Sequence, residues 1–114
     1  MMYKFYGTTY ELKFQKGRYS NNRLAIQVLG RREDEDWYEP FCTLTVNLPD
    51  VILSSDGSKD LPSNMAFIDT NNCPEYLFMQ LADEGVMTVT KTRARSGYCT
   101  YPLVKFDEDW LASL

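Results

Sequence analysis

Three segments of the chain alternate apolar with polar side chains. They are residues 10–15 (YELKFQ), 23–28 (RLAIQV) and 41–48 (FCTLTVNL). Successive side chains of an extended strand point to opposite faces, so each segment has one apolar face and one face that can meet water. Three such strands in succession predict an antiparallel meander that covers a core on one side.

One helix is predicted in the second half of the chain. Pro74 is favoured at the first helical position, and Glu75 complements the positive end of the helix dipole. Gly85 is the residue that would end this helix. Its apolar side is formed by Leu77, Phe78 and Leu81, which favours a helix laid across the sheet over one that binds a partner.

The remaining segments complete the predicted domain. Residues 54–64, rich in Ser, Asp, Gly and Pro, predict an exposed loop, and residues 65–68 predict a short strand. Residues 86–90 and 98–106 predict a C-terminal hairpin. The whole order predicts a single α+β domain over residues 1–114: a single antiparallel β-sheet of about five or six strands, with an N-terminal meander, a C-terminal hairpin and one α-helix packed on one face.

The chain contains no histidine, which removes the commonest general base and the commonest zinc ligand. Its three cysteines, Cys42, Cys73 and Cys99, form no CxxC pair, so neither a disulfide framework nor a zinc knuckle is indicated. Cys73 is predicted at a helix N-terminus, where a thiolate is stabilised, but no histidine can serve as its base. We therefore expect no catalytic residues, no metal site and no cofactor.

The balance of charge and hydropathy bears on the compartment and on partners. The net charge of −4 predicts overall repulsion from phosphate backbones, although a local basic stripe can override it. The N-terminus lacks an apolar leader, and no stretch approaches the roughly 20 apolar residues of a membrane span. These features predict a cytoplasmic protein without a membrane segment.

The tetrapeptide DEDW occurs twice, and its first copy lies in a tract with five carboxylates in seven residues, from Glu33 to Glu39. The tract lacks the spacing of a calcium-binding loop. It is typical of a solvated hairpin tip, which is the favoured interpretation. The alternative is an acidic surface with two aromatic anchors that contacts a protein partner. The candidate partner-binding residues are Arg32, Glu33, Asp34, Glu35, Asp36, Trp37 and Tyr38.

A basic stripe is predicted near the C-terminal hairpin. Lys91, Arg93 and Arg95 alternate with smaller residues, so in a strand they project from one face, and Tyr98 follows after the turn. Cations beside an aromatic ring indicate an RNA or acidic-partner contact. Cations also occur on exposed edge strands, where they discourage pairing with other sheets, and this second interpretation is favoured.

The second DEDW copy follows the last predicted strand. Asp107 or Asp109 is placed to cap a short terminal helical turn. Trp110 and Leu111 would then fold onto the body of the domain. The two copies therefore predict different structural roles.

The overall pattern resembles a family of small uncharacterised proteins carried on conjugative elements, plasmids and prophages of Gram-positive bacteria. The resemblance covers nearly the whole chain and is carried by YELKFQKGRYSNNRLAIQVL, WYEPFCTLTVNLP, IDTNNCPEYLFMQLADEGV and YPLVKFD. It assigns no functional residue. Mobile-element neighbourhoods of this kind include small anti-CRISPR proteins that act on Cas9.

The resemblance therefore implies a non-enzymatic inhibitor of a host defence nuclease, which blocks the loading of guide RNA or DNA into Cas9 by protein-protein contact. An alternative is a metal-dependent RNA-cleaving or nucleic-acid-binding protein, in which carboxylates hold the metal and the basic stripe holds RNA. A third possibility is an accessory protein that binds another product of the mobile element. The sequence leaves these alternatives open.

Overall fold

Two antiparallel sheets and two helices make up residues 1–49, 51 and 61–114, the part of the chain that this computed structural model describes. The first sheet has the strand order β1-β2-β3-β4, and the second has the order β5-β6-β8-β7. The elements in chain order are β1 (Met2–Phe5), β2 (Thr8–Arg18), β3 (Leu24–Arg32), β4 (Glu39–Thr43), β5 (Thr45–Val46), β6 (Met65–Ile68), α1 (Glu75–Asp83), β7 (Met87–Ser96), β8 (Cys99–Phe106) and α2 (Glu108–Ala112).

The first sheet contains the first two strands of the predicted meander, the first part of its third strand, and one further strand. β1 pairs with β2 through a two-residue turn, Tyr6-Gly7, in which both residues have positive φ (49° and 82°). Positive φ at both central residues is the pattern of the tight turn whose twist matches that of the strands it joins. β1 was not predicted, because only Lys4 interrupts its apolar run and a four-residue strand leaves a weak pattern.

The prediction of a single sheet is wrong. Residues 41–48 were read as one strand, but the chain changes sheets at Leu44, so that β4 belongs to the first sheet and β5 to the second. Leu44 and Thr45 are both buried, at 0% and 2% exposure, which interrupts the period of two. Strands that switch from one sheet to another form corners of this kind, and the local bend lets one chain segment serve both layers.

The main core lies between the sheets and draws residues from both. Strands of the first sheet supply Leu12, Phe14, Leu24, Ile26 and Val28, while strands of the second supply Ala66, Ile68, Met87, Val104 and Phe106. A smaller cluster on the other face of the second sheet consists of Leu48, Phe67, Ala94, Tyr101 and Leu103. The second sheet is therefore apolar on both faces.

The predicted helix is confirmed as α1, which begins after Pro74 and buries Leu77, Phe78 and Leu81. The expectation of one helix falls short by one, because the terminal turn is also helical. Asp107, rather than Asp109, caps α2: its carboxylate accepts a hydrogen bond from Trp110 N at 2.9 Å. The Trp110 ring then stacks on Phe106 and meets Phe14 edge-on, as the folding of this segment onto the body requires.

Two further predictions concern loops and membranes. Of the predicted exposed loop at residues 54–64, only 61–64 belong to the described residues; there Pro62 and Ser63 are exposed and Asn64 is buried, and the rest of the loop lies outside them. Neither described helix has the length and apolar character needed to cross a membrane.

Candidate partner-binding site

The first DEDW tract forms the connection between β3 and β4, and residues 33–38 are named the acidic loop. Arg31, at the end of β3, ties this loop to the sheet. Its Nη2 lies 2.7 Å from Glu11 Oε2 on β2, and its Nη1 donates to the carbonyl oxygen of Glu35 at 2.7 Å. The Glu35 carboxylate in turn accepts from Arg32 N and Arg32 Nε, at 2.9 and 3.1 Å. Hydrogen bonds from two arginines therefore hold the loop in one shape.

These contacts also set the ionisation of the two anchoring carboxylates. The Arg31 guanidinium, helped by Tyr38, lowers the pKa of Glu11. The Arg32 backbone N–H, followed by its side chain, lowers the pKa of Glu35. Hydrogen bonds to a carboxylate favour its charged form, so both groups remain anionic over a wider range of pH than free carboxyl groups.

The acidic loop divides the predicted partner-binding residues into two groups. The first group has structural contacts and consists of Arg32, Glu35 and Tyr38. Arg32 and Glu35 are hydrogen-bonded to each other. The Tyr38 ring lies under the cations of Lys13 and Arg31, which are 5.8 and 5.7 Å from its ring centre. The residues that face solvent are Glu33, Asp34, Asp36 and Trp37. Within the described part of the chain, the three acids among them have no hydrogen bond or ion pair, while Trp37 Nε1 donates to Glu39 at 3.3 Å.

A second group of exposed residues was not identified from the sequence. It comprises Met2, Tyr6, Tyr76 and Met79, which are 60%, 93%, 74% and 52% exposed, and it is named the aromatic ridge. Tyr76 and Met79 lie one turn apart on α1, and Gln80 Nε2 donates to the Met2 carbonyl at 3.0 Å, which holds α1 beside β1. The side chains of Phe5, Tyr6, Pro74 and Tyr76 line a groove between the two elements.

The acidic loop and the aromatic ridge adjoin each other. The residues that follow Tyr6, from Gly7 to Thr9, line one cleft together with Arg32, Glu33 and Asp34. The Tyr6 turn therefore lies between the anionic loop on one side and α1 on the other. The signal in the sequence was the presence of Tyr76 and Met79 outside the apolar stripe of α1, since a helix with one buried face needs no large apolar residues elsewhere.

The basic residues predicted near the C-terminal hairpin lie on β7, which is an edge strand of the second sheet. Arg93 and Arg95 share the face opposite buried Ala94, whereas Lys91 lies in an irregular stretch between Val89 and Arg93. Arg93 Nη1 donates to the carbonyls of Thr90 and Thr92, at 2.8 and 3.1 Å. The position of these cations agrees with the edge interpretation.

The basic surface continues into the adjoining turn. Arg95 Nε donates to the Gly97 carbonyl at 3.1 Å, and Tyr98 is fully exposed. A contact of this surface with RNA or an acidic partner stays a prediction. The surface belongs to a different sheet from the acidic loop.

The two DEDW tracts do not converge. Glu11 on β2 contacts the first tract through Arg31, whereas Lys16 Nζ donates to the Leu111 carbonyl of α2 at 2.9 Å. Glu11 and Lys16 are five positions apart on β2, a rise of roughly 17 Å. Among the residues described, no three Asp, Glu or Cys side chains are grouped so as to hold a metal ion.

Comparison with known proteins places the chain in one group. The sequence model of a family described as "Domain of unknown function (DUF4313)" matches residues 12–114. The match begins within β2, so β1 and the Tyr6-Gly7 turn precede it. No curated protein and no solved structure matches the chain.

Proposed function

The chain belongs to the DUF4313 family, and we propose that it is a non-enzymatic binding protein whose acidic loop and aromatic ridge together contact a basic surface of a protein partner. The observation that carries this proposal is Tyr6, a strained and exposed aromatic residue beside the solvent-facing carboxylates of the acidic loop. The strained, exposed ring and the charges beside it each support contact with a partner, for different physical reasons.

Tyr6 has a left-handed backbone with φ of 49° and a side chain that is 93% exposed. A tyrosine in this region costs about 1 kcal/mol relative to residues that tolerate it, such as asparagine. Among the described residues its ring has one aromatic contact, edge-on with Phe5 at 4.5 Å between ring centres, and most of the side chain faces water. A tyrosine kept under strain where it faces water is better suited to a contact outside the chain than to folding.

The charges beside Tyr6 indicate the chemistry of that partner. Glu33, Asp34 and Asp36 present three carboxylates from a loop that is already ordered, so binding does not have to fix its conformation. Anionic groups around aromatic anchors complement a cationic surface with apolar pockets, and they steer its approach over distances up to the Debye length. Tyrosine and tryptophan are also enriched among the residues that dominate binding energies.

The specific form of the proposal is an anti-CRISPR role on a mobile element. The guide-RNA and DNA channel of Cas9 is positively charged, so an ordered acidic loop has the complementary charge to enter it and block loading. The resemblance to proteins of Gram-positive mobile elements supports this choice of partner.

Retention of the purified chain on Cas9, with and without guide RNA and at several salt concentrations, tests this proposal. Glu33→Gln, Asp34→Asn and Asp36→Asn together neutralise the loop and should weaken retention on Cas9 by at least about tenfold. Added salt should weaken the retention of the unaltered chain, because salt screens the charges of the loop. The control is Glu108→Gln with Asp109→Asn, which neutralises two exposed carboxylates of the same kinds on α2. No retention under any condition excludes Cas9. If the loop variant is retained as strongly as the unaltered chain, the acidic loop is excluded as the surface that binds Cas9.

A second candidate, RNA binding by the β7–β8 hairpin, has support from the fully exposed Tyr98 next to Arg93 and Arg95. Fluorescence anisotropy with a labelled single-stranded RNA tests it, with Arg93→Ala and Arg95→Ala as variants. The same RNA incubated with Mg²⁺ or Mn²⁺ tests cleavage. RNA that stays intact and unbound removes this candidate.

A further inference from the structure

Two of the three cysteines share the main core. Cys42 lies near the end of β4 and is half-buried, while Cys73 directly precedes the Pro74 that starts α1 and is 6% exposed. Cys99, at the start of β8, packs against the other cluster. The fold therefore separates one cysteine from a pair that comes from distant parts of the chain.

The Cys73 side chain lies against the stretch of backbone that carries Cys42. Cys73 Sγ donates to the carbonyl oxygen of Thr43, the neighbour of Cys42, at 3.2 Å. Cys73 belongs to the main core, and Cys42 packs against the same core. Two thiols that meet the same core beside one stretch of backbone are placed where a disulfide can form between them.

The segment that carries Cys73 is anchored to the strand that carries Cys42. Asp69 N donates to the Leu44 carbonyl at 2.9 Å, and Cys73 N donates to the Asp69 carbonyl at 3.1 Å. The Asp69 carboxylate also accepts from the backbone N–H groups of Asn71 and Asn72, each at 3.2 Å. This turn is therefore fixed in place, and it keeps the Cys73 side chain aimed at the Cys42–Thr43 stretch.

We propose that Cys42 and Cys73 are a redox-active pair that closes to an intramolecular disulfide when the chain meets a peroxide. Cys42 is the more exposed of the two and reacts first. Its thiolate attacks one peroxide oxygen, the O–O bond breaks, and the departing hydroxide takes a proton to become water. The Cys73 sulfur, on losing its proton, then attacks the Cys42 sulfenic acid and expels a second water. Two thiols lose two electrons in total, and one hydrogen peroxide is reduced to two waters.

The ionisation of the pair supports this order of events. Interaction with the neighbouring Cys73 side chain lowers the pKa of the Cys42 thiol, because it stabilises the Cys42 thiolate. The same contact, with burial, raises the pKa of the Cys73 thiol. The exposed member is thus the one more readily ionised to attack peroxide, and the buried member is the one that resolves the product.

The proposal goes beyond the binding function and is tested separately from it. The full chain, reduced and freed of reductant, is titrated with hydrogen peroxide; its remaining thiols are alkylated, and its mass and peptides are measured. The expected product has lost two hydrogen atoms, retains one alkylated cysteine, and yields a peptide in which Cys42 is linked to Cys73. Cys99→Ser should form the same link, whereas Cys42→Ser and Cys73→Ser should not.

Three outcomes would overturn the proposal. They are a link that includes Cys99, a disulfide between two chains only, or oxidation of Cys42 to the sulfinic acid with no link formed. Should Cys73→Ser fail to fold, the peptide maps of the unaltered chain and of Cys99→Ser still decide the question. Circular dichroism before and after oxidation establishes that the link forms in the folded protein.

Discussion

At the scale of single residues, Arg31 has the widest set of contacts at the candidate site. One guanidinium pairs with Glu11 on β2, donates to the Glu35 carbonyl in the acidic loop and lies over the Tyr38 ring. A guanidinium carries five N–H donors in one plane, so it can satisfy two acceptors while a ring packs against its face. The position of the solvent-facing acids therefore depends on an arginine that lies outside the acidic loop, at the end of β3.

The Arg31–Glu11 pair predicts a pH dependence of stability. The pKa of Glu11 is lower in the folded chain than its value of about 4.3 in an unfolded chain. At a pH above the pKa of the unfolded chain, the ionised Glu11 therefore adds to the free energy of unfolding. That contribution is lost as the pH falls through the pKa of the folded chain. Glu11→Gln should have a lower melting temperature than the unaltered chain at neutral pH, and the gap should narrow below about pH 4. A gap that stays constant on acidification would show that ionisation of Glu11 is not its cause.

The strain at Tyr6 predicts opposite effects on folding and binding. Asparagine tolerates positive φ, and Asn-Gly is the preferred pair in this type of turn. Tyr6→Asn should raise the free energy of unfolding by about 1 kcal/mol in urea denaturation and weaken retention of the partner. Tyr98→Asn is the control: it removes an equally exposed ring from a two-residue turn, but Tyr98 does not have positive φ. Equal stabilisation by both changes would remove strain as the explanation.

At the scale of secondary-structure elements, the apolar faces of the strands could be predicted from the sequence, but the pairing of the strands into sheets could not. The alternation in residues 23–28 and the helix between Pro74 and Gly85 were predicted correctly, because each leaves a local pattern. The corner at Leu44 and Thr45 leaves none. Thr45 is polar and would be assigned to the wet face, yet it is buried because its hydroxyl contacts Tyr19 Oη at 3.0 Å and accepts from Ile26 N at 3.1 Å. Contacts between distant residues decide which sheet a strand joins.

The candidate site follows the same division. The position of the acidic tract between two strands could be predicted from the sequence, because charge and flanking alternation are local. The aromatic ridge could not, since it forms where β1 and α1 come together across more than seventy residues of chain. Tyr6 was also missed, because its strain is a backbone property that only the turn geometry reveals.

The Thr45 hydroxyl predicts the cost of disrupting the corner. Thr45→Val keeps the shape of the side chain but leaves the buried Ile26 N–H without its acceptor. The free energy of unfolding should fall by about 1–3 kcal/mol, measured by urea denaturation. Thr43→Val, in the exposed part of β4, is the matched change and should alter stability by less than about 0.5 kcal/mol. Similar losses from both variants would mean that the hydrogen bond is not what stabilises the corner.

At the scale of the whole molecule, the question is whether two sheets make one cooperative unit. Both sheets share the main core, because Ile26 and Val28 of the first sheet and Val104 and Phe106 of the second all belong to it. The corner at Leu44 also makes the sheets covalently adjacent. Neither sheet can therefore lose its packing without exposing the apolar face of the other. The single domain stays a prediction.

Trp110 makes that prediction measurable. Its ring stacks on Phe106 of the second sheet and meets Phe14 of the first edge-on, at 5.7 and 5.3 Å between ring centres. With Trp37→Phe as background, Trp110 fluorescence and far-UV circular dichroism should change at the same urea concentration. Ile26→Ala should then lower both midpoints together, with a loss of about 2–5 kcal/mol, because it opens a cavity under strands of both sheets. If the two signals separate, or if Ile26→Ala moves only one, then the sheets unfold independently and the chain is two cooperative units.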